Sequence, residues 1–191
     1  MVIIASIVIL LYSAEKIFFI NDVPFTFVYI EGSGSIKSQW VGKYITTQEQ
    51  WEVITGKNPS HFKGATRPVE SITWLETVDY INILSKIVLG AKQDVYTIHY
   101  DKNNEVKGFT YNYEGIDEPH FKLPTSEEWV WAAKGGKYSK GYEFAGSNDL
   151  KEVGWYSDNS GGETHPVGQL KPNEVNIYDC SGNVLMPGPS L

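Results

Sequence analysis

The chain has 191 residues, 41% of them hydrophobic and 20% charged, which suffices for one sizeable domain with its own core. Its net charge of −7 argues against nucleic acid or an anionic membrane as partner, since neither attracts an acidic surface. A single cysteine, Cys180, excludes an intramolecular disulfide and any mechanism that draws two thiols from this sequence.

Residues 1–12 are apolar except for Ser6. The run falls short of the roughly 20 residues a membrane span requires. Its length suits the apolar region of an export signal, yet no Lys or Arg precedes it and no small-x-small site follows. Its β-branched content suits a buried strand equally well. Export would place the protein outside the cytoplasm, secreted or in the cell envelope. Residues 1–17 are therefore set apart from a domain spanning 18–191.

From Phe25 to Ile30 an alternating pattern predicts a strand, and Gly32-Ser33-Gly34 a turn. Thr47 and Gln50 have the spacing of a capping box, Trp51 and Ile54 give the helix an apolar face, and Gly56 ends it. His61 has no second His or Cys at metal-ligand spacing and reads as a structural or exposed side chain. Glu70 reads as a carboxylate bonding loop amides rather than as a general base. Thr73 and Glu76 open a second helix, in which Leu75, Val78, Ile81 and Leu84 recur at core-facing spacing. Residues 95–113 read as a hairpin turning at Asp101 to Asn104.

At 121–136 Thr125 and Glu128 form a third capping box, Trp129, Ala132 and Ala133 share a face, and Gly135-Gly136 stop the helix. Residues 141–184 are dense in Gly, Asn, Asp and Ser, the composition of a long ordered loop. A loop of this length is functional or is pinned by something. With 14% aromatic residues, including 6 Trp and 12 Tyr, the fold is loop-rich and pinned by rings, or it carries a ring-lined binding surface.

The run Leu123-Pro124-Thr125, Glu128-Trp129, Ala132-Ala133, Gly135-Gly136 resembles the signature of the formylglycine-generating enzymes, or sulfatase-modifying factors. Pro68-Val69-Glu70, His165-Pro166-Val167-Gly168 and Ile177 to Val184 match that family in order. Departures are Lys122 for Arg, Asn176 for Gly and Cys180 for Met. The resemblance implies an α+β, C-type-lectin-like fold, with short helices on small antiparallel sheets and long irregular loops.

The resemblance also implies structural calcium held by loop oxygens, with Asn148 and Asn183 at the matching positions and Asp158 and Asp179 as supplements. Calcium takes about six to eight hard oxygen ligands. Hydrogen-bonded turn caps explain the same residues.

The family continues after Gly-Asn into Trp-Glu-Trp and a part holding paired catalytic cysteines that bind copper. Here Asn183-Val184 is followed by Leu185-Met186-Pro187-Gly188-Pro189, so the resemblance implies a C-terminally incomplete domain. Copper is not expected, because its site needs two thiolates. Cys180 reads as a small buried hydrophobe. The expected function is a noncatalytic domain that binds a protein or carbohydrate ligand. The alternative is an oxidase that converts a sulfatase cysteine to formylglycine with thiols supplied from outside this sequence. Core surface left uncovered by absent strands would favour self-association.

Overall fold

A computed structural model describes residues 5–8, 15–103, 106–112 and 120–184. The chain forms two compact units: Met1–Ser71 with Pro124–Leu191, and Ile72–Leu123. Both mix short helices with small antiparallel sheets, the α+β class expected of the sequence. Among the described residues no helix is long and apolar enough to cross a membrane. The expected C-terminal tail, 185–191, lies outside the described residues, as do 1–4 and 9–14 of the apolar N-terminal segment.

The first unit is built on four antiparallel strands in sequential order: β1 (Ala5–Val8), β2 (Glu15–Ile20), β3 (Val23–Ile30) and β4 (Gln39–Gly42). Asn21 and Asp22 join β2 to β3 with φ of 47° and 66°. Two successive positive φ values give the tight turn whose twist matches the strands it connects. Alternation then sorts the sheet into two faces.

On one face Val28 and Ile30 are each 2% exposed and pack with Ala132, Ile177, Val41, Trp131 and Cys180. On the other, Phe18 stacks on Phe25 and Phe27, with ring centres 5.1 and 5.5 Å apart. Tyr29 meets Trp40 at 5.3 Å, and the Lys16 ammonium lies 4.2 Å over the Trp40 ring.

Helix α1 (Gln48–Thr55) starts with the anticipated reciprocal bonds between Thr47 and Gln50 and stops at Gly56, φ 72°. Gln48 is fully buried, which demands partners for every polar atom. Its Nε2 donates to the carbonyls of Phe62 (2.7 Å) and Pro68 (3.2 Å). Its Oε1 accepts from Asn58 Nδ2 and the Gly64 N–H, both at 3.0 Å. One side chain thus fixes the loop from 58 to 68.

Helix α3 (Ser126–Ala133) opens on the Thr125–Glu128 box and lays Ala132, 1% exposed, on the sheet. The Trp131 indole N–H donates to the Glu31 carbonyl at 2.9 Å. Gly135 and Gly136 follow at φ 87° and 56°, and a one-turn helix, α4 (Leu150–Val153), interrupts the loop region.

In the second unit α2 (Trp74–Leu89), capped by Thr73 and Glu76, buries Val78, Tyr80, Ile81 and Leu84. It precedes a hairpin of β5 (Tyr96–Tyr100) and β6 (Val106–Tyr111). The buried Asn82 side chain donates to the Tyr96 carbonyl (2.9 Å) and accepts the Tyr96 N–H (3.0 Å), as a neighbouring strand would. Tyr96 stacks on Tyr111, and Trp74 lies tilted against Phe109 with ring centres 4.1 Å apart.

Candidate functional site

The chemistry-bearing residues singled out from the sequence lie in or beside the loop region 141–184 of the first unit. Side-chain clasps organise it. Asn173, 4% exposed, donates to the Ala132 and Ala133 carbonyls (2.8 and 3.0 Å) and accepts the N–H groups of Val175 and Ile177 (3.1 and 3.0 Å). It ties the C-terminal end of α3 to the turn that delivers Ile177 into the core.

Asn183 clasps His165, accepting its N–H at 2.8 Å and donating to its carbonyl at 2.9 Å. The His165 ring stacks on Trp155, 3.9 Å between centres and 19° between planes, and its Nε2 lies 2.8 Å from the Ser160 carbonyl. Arg67 donates to the Thr164 carbonyl and pairs with Glu163 at 3.2 Å.

Asp179 is 5% exposed and accepts the Gly168 N–H at 2.8 Å, with Asn183 Nδ2 at 3.4 Å from its other oxygen. Burial pushes its pKa up, against the pull of those two bonds. Cys180, half-buried beside it, packs against the core cluster, and its Sγ lies 3.8 Å from the Tyr178 carbonyl. Burial, followed by the charge of Asp179, pushes the thiol up to about 12. A thiol with that pKa holds its proton near neutrality and is a poor nucleophile there. The expectation that Cys180 acts as a small hydrophobe agrees with this setting.

The two asparagines expected at calcium do separate jobs. Asn148 is exposed and its Oδ1 accepts the Glu143 N–H at 2.9 Å. Asn183 Oδ1 is engaged with His165, as above. Asp158 accepts from the neighbouring Ser157 hydroxyl at 3.0 Å. Among the described residues no three His, Cys, Asp or Glu side chains gather as a metal cluster.

Glu70 takes the role expected of it, accepting the N–H groups of His61 and Phe62. Burial opposes its ionisation, and the bonds from Ser71, Phe62 and His61 outweigh that, so its pKa falls below the ordinary 4.5. A depressed carboxyl stabilises the fold above the unfolded value and loses that contribution as pH drops through the folded one. Glu70→Gln is therefore expected to lower the melting temperature at pH 7 and to lower it less at acid pH, as the parent carboxyl takes up its proton. An equal shift at both pH values would refute the assignment.

Residues 18–185 match the model of the sulfatase-modifying factor enzyme 1-like domain. The chain belongs to the sulfatase-modifying factor family. A curated relative, "Chaperone protein LppX" of Paenibacillus barcinonensis, is 36% identical over 181 residues, covering 82% of this chain. The chain spans 63% of that relative's length. Treponema denticola variable protein 1 is a solved structure of the same fold, with TM-score 0.72 and 29% identity over 90% of this chain and 75% of that one. PvdO from Pseudomonas aeruginosa aligns with TM-score 0.45 and 16% identity over 87% of this chain and 66% of its own.

Pro-Val-Glu, Ser-Gly-Asn-Val and the Thr-x-x-Glu helix start are thus framework motifs of the family in this chain. A pair of thiolates, the soft donor set that copper(I) prefers, cannot come from the single cysteine of this sequence. The sequence supplies one thiol, and its surroundings keep that thiol protonated.

Proposed function

We propose that this chain is a noncatalytic sulfatase-modifying factor domain that binds a protein ligand. The observation that carries the reading is Cys180, the only thiol of the sequence, held protonated within the framework. The chaperone name of the LppX relative favours a polypeptide over a carbohydrate as ligand.

Two measurements test it. The chain should suppress aggregation of a thermally unfolded enzyme at stoichiometric amounts. It should leave a sulfatase-motif cysteine peptide unchanged when supplied with copper and O₂. Formylglycine product from this chain alone would overturn the reading, as would aggregation that proceeds unaffected.

Cys180 supplies a third check. Iodoacetamide at pH 8 should alkylate it at least about a hundredfold more slowly than a free cysteine, because the thiolate is the reacting form. Equal rates would place a reactive thiol in the site.

Calcium belongs to the reading as a structural ion at Asn148 and Asn183, adding to clasps that protein hydrogen bonds already make. Melting with calcium against excess EGTA decides it. A rise of several degrees that Asn148→Ala abolishes supports the ion, and identical curves leave the hydrogen bonds as the whole clasp.

A further inference from the structure

In a chain of net charge −7, residues 129–142 hold three lysines, Lys134, Lys137 and Lys140, and no Asp or Glu. All three lysines are exposed. Val130 at 51% and Tyr138 at 61% stand among them and are the two most exposed large hydrophobic side chains described in the first unit. The Lys137 ammonium lies 5.1 Å from the Tyr138 ring centre, and that of Lys140 lies 6.0 Å from the Tyr142 ring centre. Lys137 pairs with Glu31, whereas Lys134 and Lys140 take no carboxylate among the described residues.

The backbone beneath this strip is held in place. Lys134 closes α3, its N–H donating to the Val130 carbonyl at 3.0 Å. Gly135 and Gly136, both at positive φ, lead into a single 3-10 turn, Gly136–Tyr138. The Tyr138 N–H donates to the Gly135 carbonyl at 3.0 Å. Glu174 turns its carboxylate toward this backbone, where Oε1 accepts the Lys140 N–H at 3.0 Å and Oε2 is buried. The lysines and Tyr138 thus project from a fixed support, which a ligand need not order.

We propose that Lys134, Lys137, Tyr138 and Lys140 dock a short acidic segment of a partner polypeptide, with carboxylates at the ammonium groups and an apolar side chain on the Tyr138 ring. This deepens the protein-binding reading above and rests on it. The occupant follows from charge and reach. Beyond about 10 Å the field of exposed charges is screened at ordinary salt, so a short ligand at the strip meets its lysines rather than the net charge of the chain. A long polyanion, whether sugar polymer or nucleic acid, extends past the strip onto the acidic remainder and is repelled there. Apolar groups exposed among the cations match a ligand that carries apolar side chains as well as carboxylates, as a polypeptide does.

The test uses the full chain and a fluorescent octapeptide of alternating glutamate and leucine, with a mate in which glutamine replaces each glutamate. The acidic peptide should bind at least about tenfold tighter than its mate and lose at least about fivefold in affinity between about 50 and 500 mM NaCl. Lys134→Gln combined with Lys140→Gln removes no ion pair and should melt within about 2 °C of the parent. It should weaken the acidic peptide at least about fivefold and leave the mate unchanged. Lys57→Gln combined with Lys107→Gln removes equal charge at exposed positions elsewhere and should change affinity less than about twofold. Tyr138→Ser should weaken both peptides.

Equal binding of the two peptides, equal effects of the two double variants, or no binding up to about 1 mM overturns the proposal. So does tighter binding of a sulfated oligosaccharide of equal charge, which would make the strip a sugar site. A low-salt dimer of the chain alone that Lys134→Gln with Lys140→Gln dissolves would make a second copy the occupant and overturns it too. Client aggregation separates the strip from the reading it rests on. If the Lys134 and Lys140 double variant suppresses aggregation as well as the parent does, the protein-binding reading stands and the strip falls. If the parent binds the acidic peptide as expected yet suppresses no aggregation, the strip keeps its ligand and that reading falls.

Discussion

Asn173→Ala should lower the melting temperature by roughly 10 °C. The substitution removes four hydrogen bonds from a side chain that is 4% exposed. Two carbonyls at the end of α3 and two amides of the 175–177 turn lose their partner together. Each buried group left unpaired costs about 1–3 kcal/mol, and relaxation with water entry recovers part of it, leaving a net loss of about 3–4 kcal/mol. For a protein of this size each kcal/mol corresponds to roughly 2–4 °C. Asn173→Asp separates the two halves of the clasp. It keeps the acceptor for Val175 and Ile177, loses the donor, and adds negative charge at the negative end of a helix. It should cost nearly as much as alanine. Melting within about 2 °C of the parent for both variants would show that Asn173 holds nothing together.

Gly182→Ala should be comparably damaging, on the order of 3 kcal/mol or more. Gly182 has φ 150°, and a Cβ there would lie 2.3 Å from the Trp155 carbonyl oxygen. The obstacle is backbone, which cannot swing aside as a side chain tip does. The close approach has a product: the Asn183 N–H reaches the same Trp155 carbonyl at 2.9 Å, and the Asn183 side chain reaches His165. Forcing these two loop segments apart breaks these bonds together. Hydrogen exchange at the Asn183 and His165 amides should accelerate in a folded Gly182→Ala protein. Unchanged exchange and melting would mean that the backbone opens without cost.

Local chemistry made much of this legible in advance. Thr47, Thr73 and Thr125 announced three helix starts, since the reciprocal bonds need nothing but residues four positions apart or closer. Alternation announced β3, and Gly-Asn-Asp-Ser composition announced the loop. Family motifs gave the fold its class. Strand β2 carries little signal in the sequence because Asn21-Asp22, the turn ahead of β3, looks weaker than Asn-Gly, and only the positive φ of both residues reveals the hairpin. A boundary drawn between residues 17 and 18 accordingly falls inside β2.

The separation of Ile72–Leu123 as its own unit had no local signal either, because it rests on long-range packing. Neither Gln48 nor Asn173 could be recognised as an organiser from sequence. Both look like ordinary polar residues until burial surrounds them with carbonyls and amides. Asn148 and Asn183 were placed by resemblance alone, and what the fold adds is the hydrogen-bond partner of each.

A threonine begins each of the three longer helices, and in each the first-turn glutamate or glutamine returns the bond. Every one of these helices therefore carries its own starting mark, independent of what lies upstream. Insertions or deletions in the intervening connections leave helical phase untouched, so each apolar stripe keeps facing its original neighbour. A scaffold punctuated in this way can exchange its outer segments freely during divergence while its interior reads the same.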